Sequence, residues 1–177
     1  MNLPNKLTMF RVILIPFFVL FMLADITGAD KWIALAIFII ASLTDLLDGR
    51  IARKYNLVTN FGKFMDPLAD KLLVCSALIC LVEMAKLPAW MAIVIIAREF
   101  IISGFRLIAS DNGVVIAASY WGKFKTTFQM VMICLLIADI AAISTITNVI
   151  VWIALVLTVV SLIDYLAKNR DIMKETK

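Results

Sequence analysis

Residues 32–83 read WIALAIFIIASLTDLLDGRIARKYNLVTNFGKFMDPLADKLLVCSALICLVE. An apolar run, WIALAIFIIASL, leads into a charged middle, and a second, LLVCSALICLV, leads out of it. With its flanks, each run supplies about 20 residues of helix, the length that crosses a bilayer's hydrocarbon core. The stretch predicts two membrane helices joined by a short polar loop. Its charged middle holds four aspartates, Asp45, Asp48, Asp66 and Asp70.

The rest of the chain has the same character. Of 177 residues, 63% are hydrophobic and only 17% charged, against about 25% charged in an average soluble domain. The mean hydropathy is +1.00. A soluble domain of this size cannot keep so much apolar surface from water. Disorder, collagen and a secreted disulfide scaffold are excluded. The expected fold is all-α: an integral membrane bundle of six transmembrane helices forming one domain, residues 1–177. The spans are read at 7–25, 31–50, 63–84, 88–108, 120–141 and 145–167. The N-terminal MNLPNKLTMFRV lacks a small-residue cleavage site, so the first apolar run reads as a retained span.

Composition removes several chemistries. There is no histidine, hence no histidine triad and no histidine metal ligand. Cys75, Cys80 and Cys134 lie in apolar runs without CxxC spacing and read as small buried hydrophobes. No basic soluble module exists to bind nucleic acid. Trp32, Trp90, Trp121 and Trp152 read as interfacial or packing aromatics.

Charge placement sets the orientation. Of 17 Lys and Arg, only Lys31 and Lys86 lie near the short turns Asp25–Asp30, Glu83–Pro88 and Asp139–Thr147. The others fall toward the opposite ends of the spans. The positive-inside rule then puts both termini, and the aspartates, on the cytoplasmic side. Lys168, Arg170, Lys174 and Lys177 read as contacts to anionic headgroups.

Asp45 stands roughly 20 Å along the helix that starts near Trp32, close to headgroup depth. Asp45 and Asp48 are an i, i+3 pair; Asp66 and Asp70 are an i, i+4 pair. Each pair shares a helix face, with Cβ atoms roughly 5–6 Å apart. Four unpaired carboxylates this near hydrocarbon are costly. Some are protonated, or they cap helices and pair with Arg50, Arg53, Lys63 and Lys71, or they bind metal. Two divalent cations balance four carboxylates, all-oxygen donors favour Mg²⁺ or Mn²⁺, and paired metals suit displacement at phosphorus. Gly49 and Ala52 leave room for a ligand, Arg53 is a turn away from Gly49, and Gly62 and Lys63 open the next span.

The pattern D-x2-D-G-x2-A-R-x8-G-x3-D-x3-D is met without departure by Asp45, Asp48, Gly49, Ala52, Arg53, Gly62, Asp66 and Asp70. In this the chain resembles the CDP-alcohol phosphotransferases. The resemblance implies a homodimer of six-helix protomers in the bacterial cell membrane, with the active site facing the cytoplasm. It implies two divalent cations, Mg²⁺ or Mn²⁺, held by Asp45, Asp48, Asp66 and Asp70, with Asp70 as general base. It also implies that Asp45, Asp48, Gly49, Ala52 and Arg53 bind the CDP moiety. Gly62, Asn5 and Thr8 are further candidates for CDP-diacylglycerol, although Asn5 and Thr8 equally read as caps of the first helix.

Three flanking segments, LPNKLT (3–8) with Arg11, AREFIISGFR (97–106) and WGKFKTTFQM (121–130), are similar to the branch of the family whose acceptor is sn-glycerol 3-phosphate. A phosphorylated acceptor needs cations. Arg98, roughly 15 Å into its helix, Arg106, Lys123, Lys125, Lys63 and Arg11 are the candidates. Other readings stand beside this one: Arg98 pairs with Glu99, the lysines snorkel to the interface, and Arg11 is an orientation charge. Inositol phosphate is the rival acceptor. An ion-coupled transporter is the rival of another class, disfavoured by the short chain and by aspartates gathered near one membrane face.

Overall fold

A computed structural model of the chain describes residues 3–54, 60–111 and 119–170; the side chains at 3–4, 45–54, 60–64 and 110–111 lie outside that description. The described residues form six α-helices: α1 (Leu3–Leu23), α2 (Asp30–Lys54), α3 (Asn60–Glu83), α4 (Ala89–Asp111), α5 (Tyr120–Ala138) and α6 (Ser144–Lys168). One 3₁₀ turn, Ala141–Ile143, precedes α6. The expected all-helical class and helix order are met. Several helices run past their apolar limits, as α2 does to Lys54, because hydropathy marks the apolar slab and not the helix ends.

The chain divides into two compact units: Met1–Leu87 with Leu136–Ala138, and Pro88–Leu135 with Asp139–Lys177. In the first, α1 packs on both α2 and α3, and among the described residues it does so far more extensively than those two pack on each other. The buried stripe of α1 runs Asn5, Thr8, Arg11, Ile15, Phe18, Met22, spaced three or four apart as a single helix face requires. Among the described side chains of α2 the buried positions are Asp30, Ala34, Phe38 and Ala41. The small Ala34 and Ala41 let backbones approach, and Phe18 and Phe38 meet with ring centroids 5.8 Å apart.

In the second unit α4 packs on α6. Val151, Ala154, Leu155, Thr158, Ser161 and Tyr165 form the buried face of α6. Phe105 meets Tyr165 edge-on at 6.4 Å, and Trp90 meets Trp152 at 6.2 Å.

The outer faces are apolar as well. Phe10, Ile13, Phe17 and Leu20 on α1, and Ile146, Val149, Trp152 and Val156 on α6, are exposed. A helix at a water surface would present a polar stripe there; these faces suit lipid. Two segments, Asn5–Leu23 and Ala141–Lys168, with hydropathy 2.0 and 2.5, are long and apolar enough to cross a membrane.

The turns carry their own chemistry. Ahead of α2, the Asp30 carboxylate accepts the backbone N–H groups of Ile26 and Thr27, each at 2.9 Å, and the Thr27 hydroxyl at 2.9 Å. The Thr27 backbone N–H above all holds this carboxyl below its ordinary range, against an opposing desolvation. After α3, Lys86 N–H donates to Leu81 O and Ala85 N–H to Val82 O, both at 2.9 Å, which is a Schellman closure. Its left-handed position is held by Ala85, φ 56°, where glycine is usual. At the start of α5, Ser119 Oγ accepts the Gly122 N–H at 3.2 Å, a standard N-cap.

Candidate active site

Both halves of the aspartate motif lie on helices. Positions 45, 48, 49, 52 and 53 fall on α2, and 62, 66 and 70 on α3. The i, i+3 and i, i+4 spacings therefore place each pair one turn apart on one face. The side chains of Asp45, Asp48, Gly49, Ala52, Arg53, Gly62 and Lys63 lie outside the described residues.

Asp66 and Asp70 are both half-buried. The Thr8 hydroxyl of α1 donates to Asp66 Oδ1 at 2.5 Å. Lys71 reaches back to the Pro67 carbonyl at 3.3 Å. Pro67 stands about two turns into α3.

Asn5 and Thr8 also lie inside a helix, since α1 begins at Leu3; neither is a cap. Both are buried. Arg11, one turn beyond Thr8, is fully buried, and its Nε donates to the Ala41 carbonyl of α2 at 3.2 Å.

The donors known on α3 are carboxylate oxygens, which fits a hard divalent cation. No group of three acidic or thiol side chains forms among the described residues, since half of the expected set lies outside them. Asp66 Oδ1 keeps a lone pair beyond its bond to Thr8, and Oδ2 keeps its own, so the carboxylate retains capacity for a metal.

The second unit holds an ionic cluster. Glu99 pairs with Arg98 Nη1 at 3.3 Å and also with Lys125 Nζ. Arg98 Nε donates to Ser161 Oγ at 3.1 Å, and Ser161 Oγ donates onward to Thr158 O at 2.9 Å. Arg98, Lys125 and Ser161 are all buried. Gly122 leaves space for this arginine: a Cβ there would sit 3.4 Å from Arg98 Nη2. The pairing of Arg98 with Glu99 is thus present, with Lys125 as a third member. Arg106 and Lys123 are exposed. Gln129, one turn beyond Lys125, is buried, and its Oε1 has no hydrogen-bond partner among the described residues.

Ser161 escaped the sequence reading. Its signal was a hydroxyl in the middle of an apolar span, which in lipid seeks a polar partner. Which partner it finds, 63 residues away, no local pattern discloses.

The profile of the CDP-alcohol phosphatidyltransferase family matches residues 1–160. The chain belongs to this family. CDP-alcohol phosphatidyltransferases are membrane enzymes that use a divalent metal. Among relatives of the chain, a Bacillus subtilis protein named CDP-diacylglycerol–glycerol-3-phosphate 3-phosphatidyltransferase is 46% identical over 98% of this chain and 97% of its own. A Haemophilus influenzae family member of the same name is 44% identical, covering 93% of this chain and 91% of its own. A Mycobacterium tuberculosis protein named probable phosphatidylglycerophosphate synthase is 41% identical, covering 97% and 83%.

Proposed function

We propose that the chain transfers a phosphatidyl group from CDP-diacylglycerol to sn-glycerol 3-phosphate, giving phosphatidylglycerophosphate and CMP. One observation carries this reading: the aspartate motif is unbroken within a chain-long likeness to relatives of that named activity.

Asp45, Asp48, Asp66 and Asp70 are assigned as metal ligands, for two Mg²⁺ or Mn²⁺ ions. Bound there, divalent cations neutralise the diphosphate and the charge that develops on the departing CMP. Asn5, Gly49, Ala52, Arg53 and Gly62, with Asp45 and Asp48, are assigned to CDP-diacylglycerol. Asp70 takes the proton of the acceptor's primary hydroxyl. That oxygen bonds to the phosphorus carrying diacylglycerol, and the bond from this phosphorus to the CMP oxygen breaks. The displacement is direct, because no Ser, Cys or His nucleophile is assigned. Lys63, Arg98, Arg106, Lys123 and Lys125, with Arg11, are assigned to the acceptor's phosphate. Both Arg98 and Lys125 are buried and meet at the Glu99 carboxylate, which gathers two cations in one place.

The proposal includes six membrane spans in one domain, cytoplasmic termini and a homodimer. Helices of 19–25 residues reach roughly 28–38 Å at 1.5 Å per residue. That length and the apolar outer faces support the spans.

The test is CMP release by purified protein from CDP-diacylglycerol and Mg²⁺ or Mn²⁺, with glycerol 3-phosphate, inositol phosphate or serine supplied separately and the lipid product identified. Metal-dependent release with glycerol 3-phosphate alone is expected. Asp70→Asn should lower turnover about 10²- to 10⁴-fold, and near-normal turnover removes it as the base.

A further inference from the structure

α1 ties the two motif helices together through two buried side chains one turn apart. Thr8 is 0% exposed and donates to Asp66 on α3 at 2.5 Å. Arg11 is 0% exposed and donates to the Ala41 carbonyl of α2 at 3.2 Å. In an α-helix the carbonyl of residue 41 is the one that accepts the N–H of residue 45. Arg11 therefore grips α2 one turn ahead of the first aspartate, and Thr8 grips α3 at the third. Among the described residues α2 and α3 pack on each other only slightly, whereas both pack extensively on α1. α1 is therefore the helix on which both motif helices pack.

We infer that Thr8 is a positioning residue for Asp66, fixing its carboxylate for metal, and that Arg11 holds α2 in the matching register. Each side chain, a candidate substrate contact by sequence, is engaged here by a neighbouring helix. The hydroxyl hydrogen bond restricts the carboxylate torsion and leaves Oδ2 to coordinate. A carboxylate already oriented loses less freedom when it binds, which is why partners of metal ligands typically matter about 10- to 100-fold in affinity.

The inference rests on the metal role proposed for the aspartates, so the experiment separates the two. Mn²⁺ affinity is measured by electron paramagnetic resonance on the full chain in detergent, without nucleotide. Wild type is compared with Thr8→Val, Thr8→Ser and Asp66→Asn, and kcat and KM for CDP-diacylglycerol are measured alongside. Thr8→Val should weaken Mn²⁺ binding about 10- to 100-fold and lower kcat, while Thr8→Ser, which keeps the hydroxyl, restores most of both. If Thr8→Val does not yield folded protein, Thr8→Ala carries the same comparison. Unchanged Mn²⁺ affinity in Thr8→Val overturns the inference, as does an equal loss in Thr8→Ser, which would indicate packing. A raised KM for CDP-diacylglycerol with Mn²⁺ affinity intact would make Thr8 a nucleotide contact. Unchanged affinity in Asp66→Asn would remove the metal role of Asp66 itself, and the inference with it.

Discussion

Glu99 serves two buried cations, and that sharing fixes what its removal does. Lys125 is 1% exposed, so Glu99→Gln takes a carboxylate away from a buried ammonium that lies near an arginine. Breaking such a pair by removing one partner costs about 3–5 kcal/mol. Replacing both partners with apolar groups costs much less. Glu99→Gln should therefore lower the unfolding midpoint in detergent sharply, and Glu99→Gln with Lys125→Met should recover a large part of it. Additive losses in that double-mutant cycle would mean the two side chains do not interact. Asp30 offers a pH test. Its folded carboxyl lies below the ordinary value of 3.8. The stabilisation is complete above that value and is lost as pH falls through the lower, folded one. Thermal midpoints should fall over that acid range in wild type, and Asp30→Asn should flatten the fall.

The helices themselves were largely legible. Apolar runs of this length are expected to be helices, since in lipid each backbone group must find a partner within its own segment. The ends were less legible, because capping depends on individual dihedrals. Ala85 is an example: nothing in the string EMAKLP distinguishes a left-handed residue. Holding an L-residue there costs roughly 1–2 kcal/mol. Ala85→Gly should accordingly stabilise the protein by about 1 kcal/mol, read as a raised midpoint, whereas an unchanged or lowered midpoint would place no strain at that turn.

For the whole molecule, the charge asymmetry predicts topology. Lys31 and Lys86 lie at the turns assigned to the outside, and Lys168 and Arg170 at the end assigned to the cytoplasm. In a variant lacking the native cysteines, a membrane-impermeant maleimide should label Lys31→Cys on intact cells. Arg170→Cys should label only after permeabilisation. The opposite pattern would invert the topology and move the aspartates to the outer face.

The amino-acid order by itself determined the helical class, the membrane setting and the motif, because hydropathy and helical spacing are local properties. Asp45–Asp48 and Asp66–Asp70 are visible at separations of three and four residues, the reach of one helical turn. Tertiary structure alone decided which distant side chains meet. Thr8 finds Asp66 across 58 residues, and Arg98 finds Ser161 across 63. Such pairings follow from which helix faces pack together. In lipid that choice rests on close fit and on satisfying polar groups, not on hydrophobicity, so many apolar faces look alike in sequence until the helices are packed.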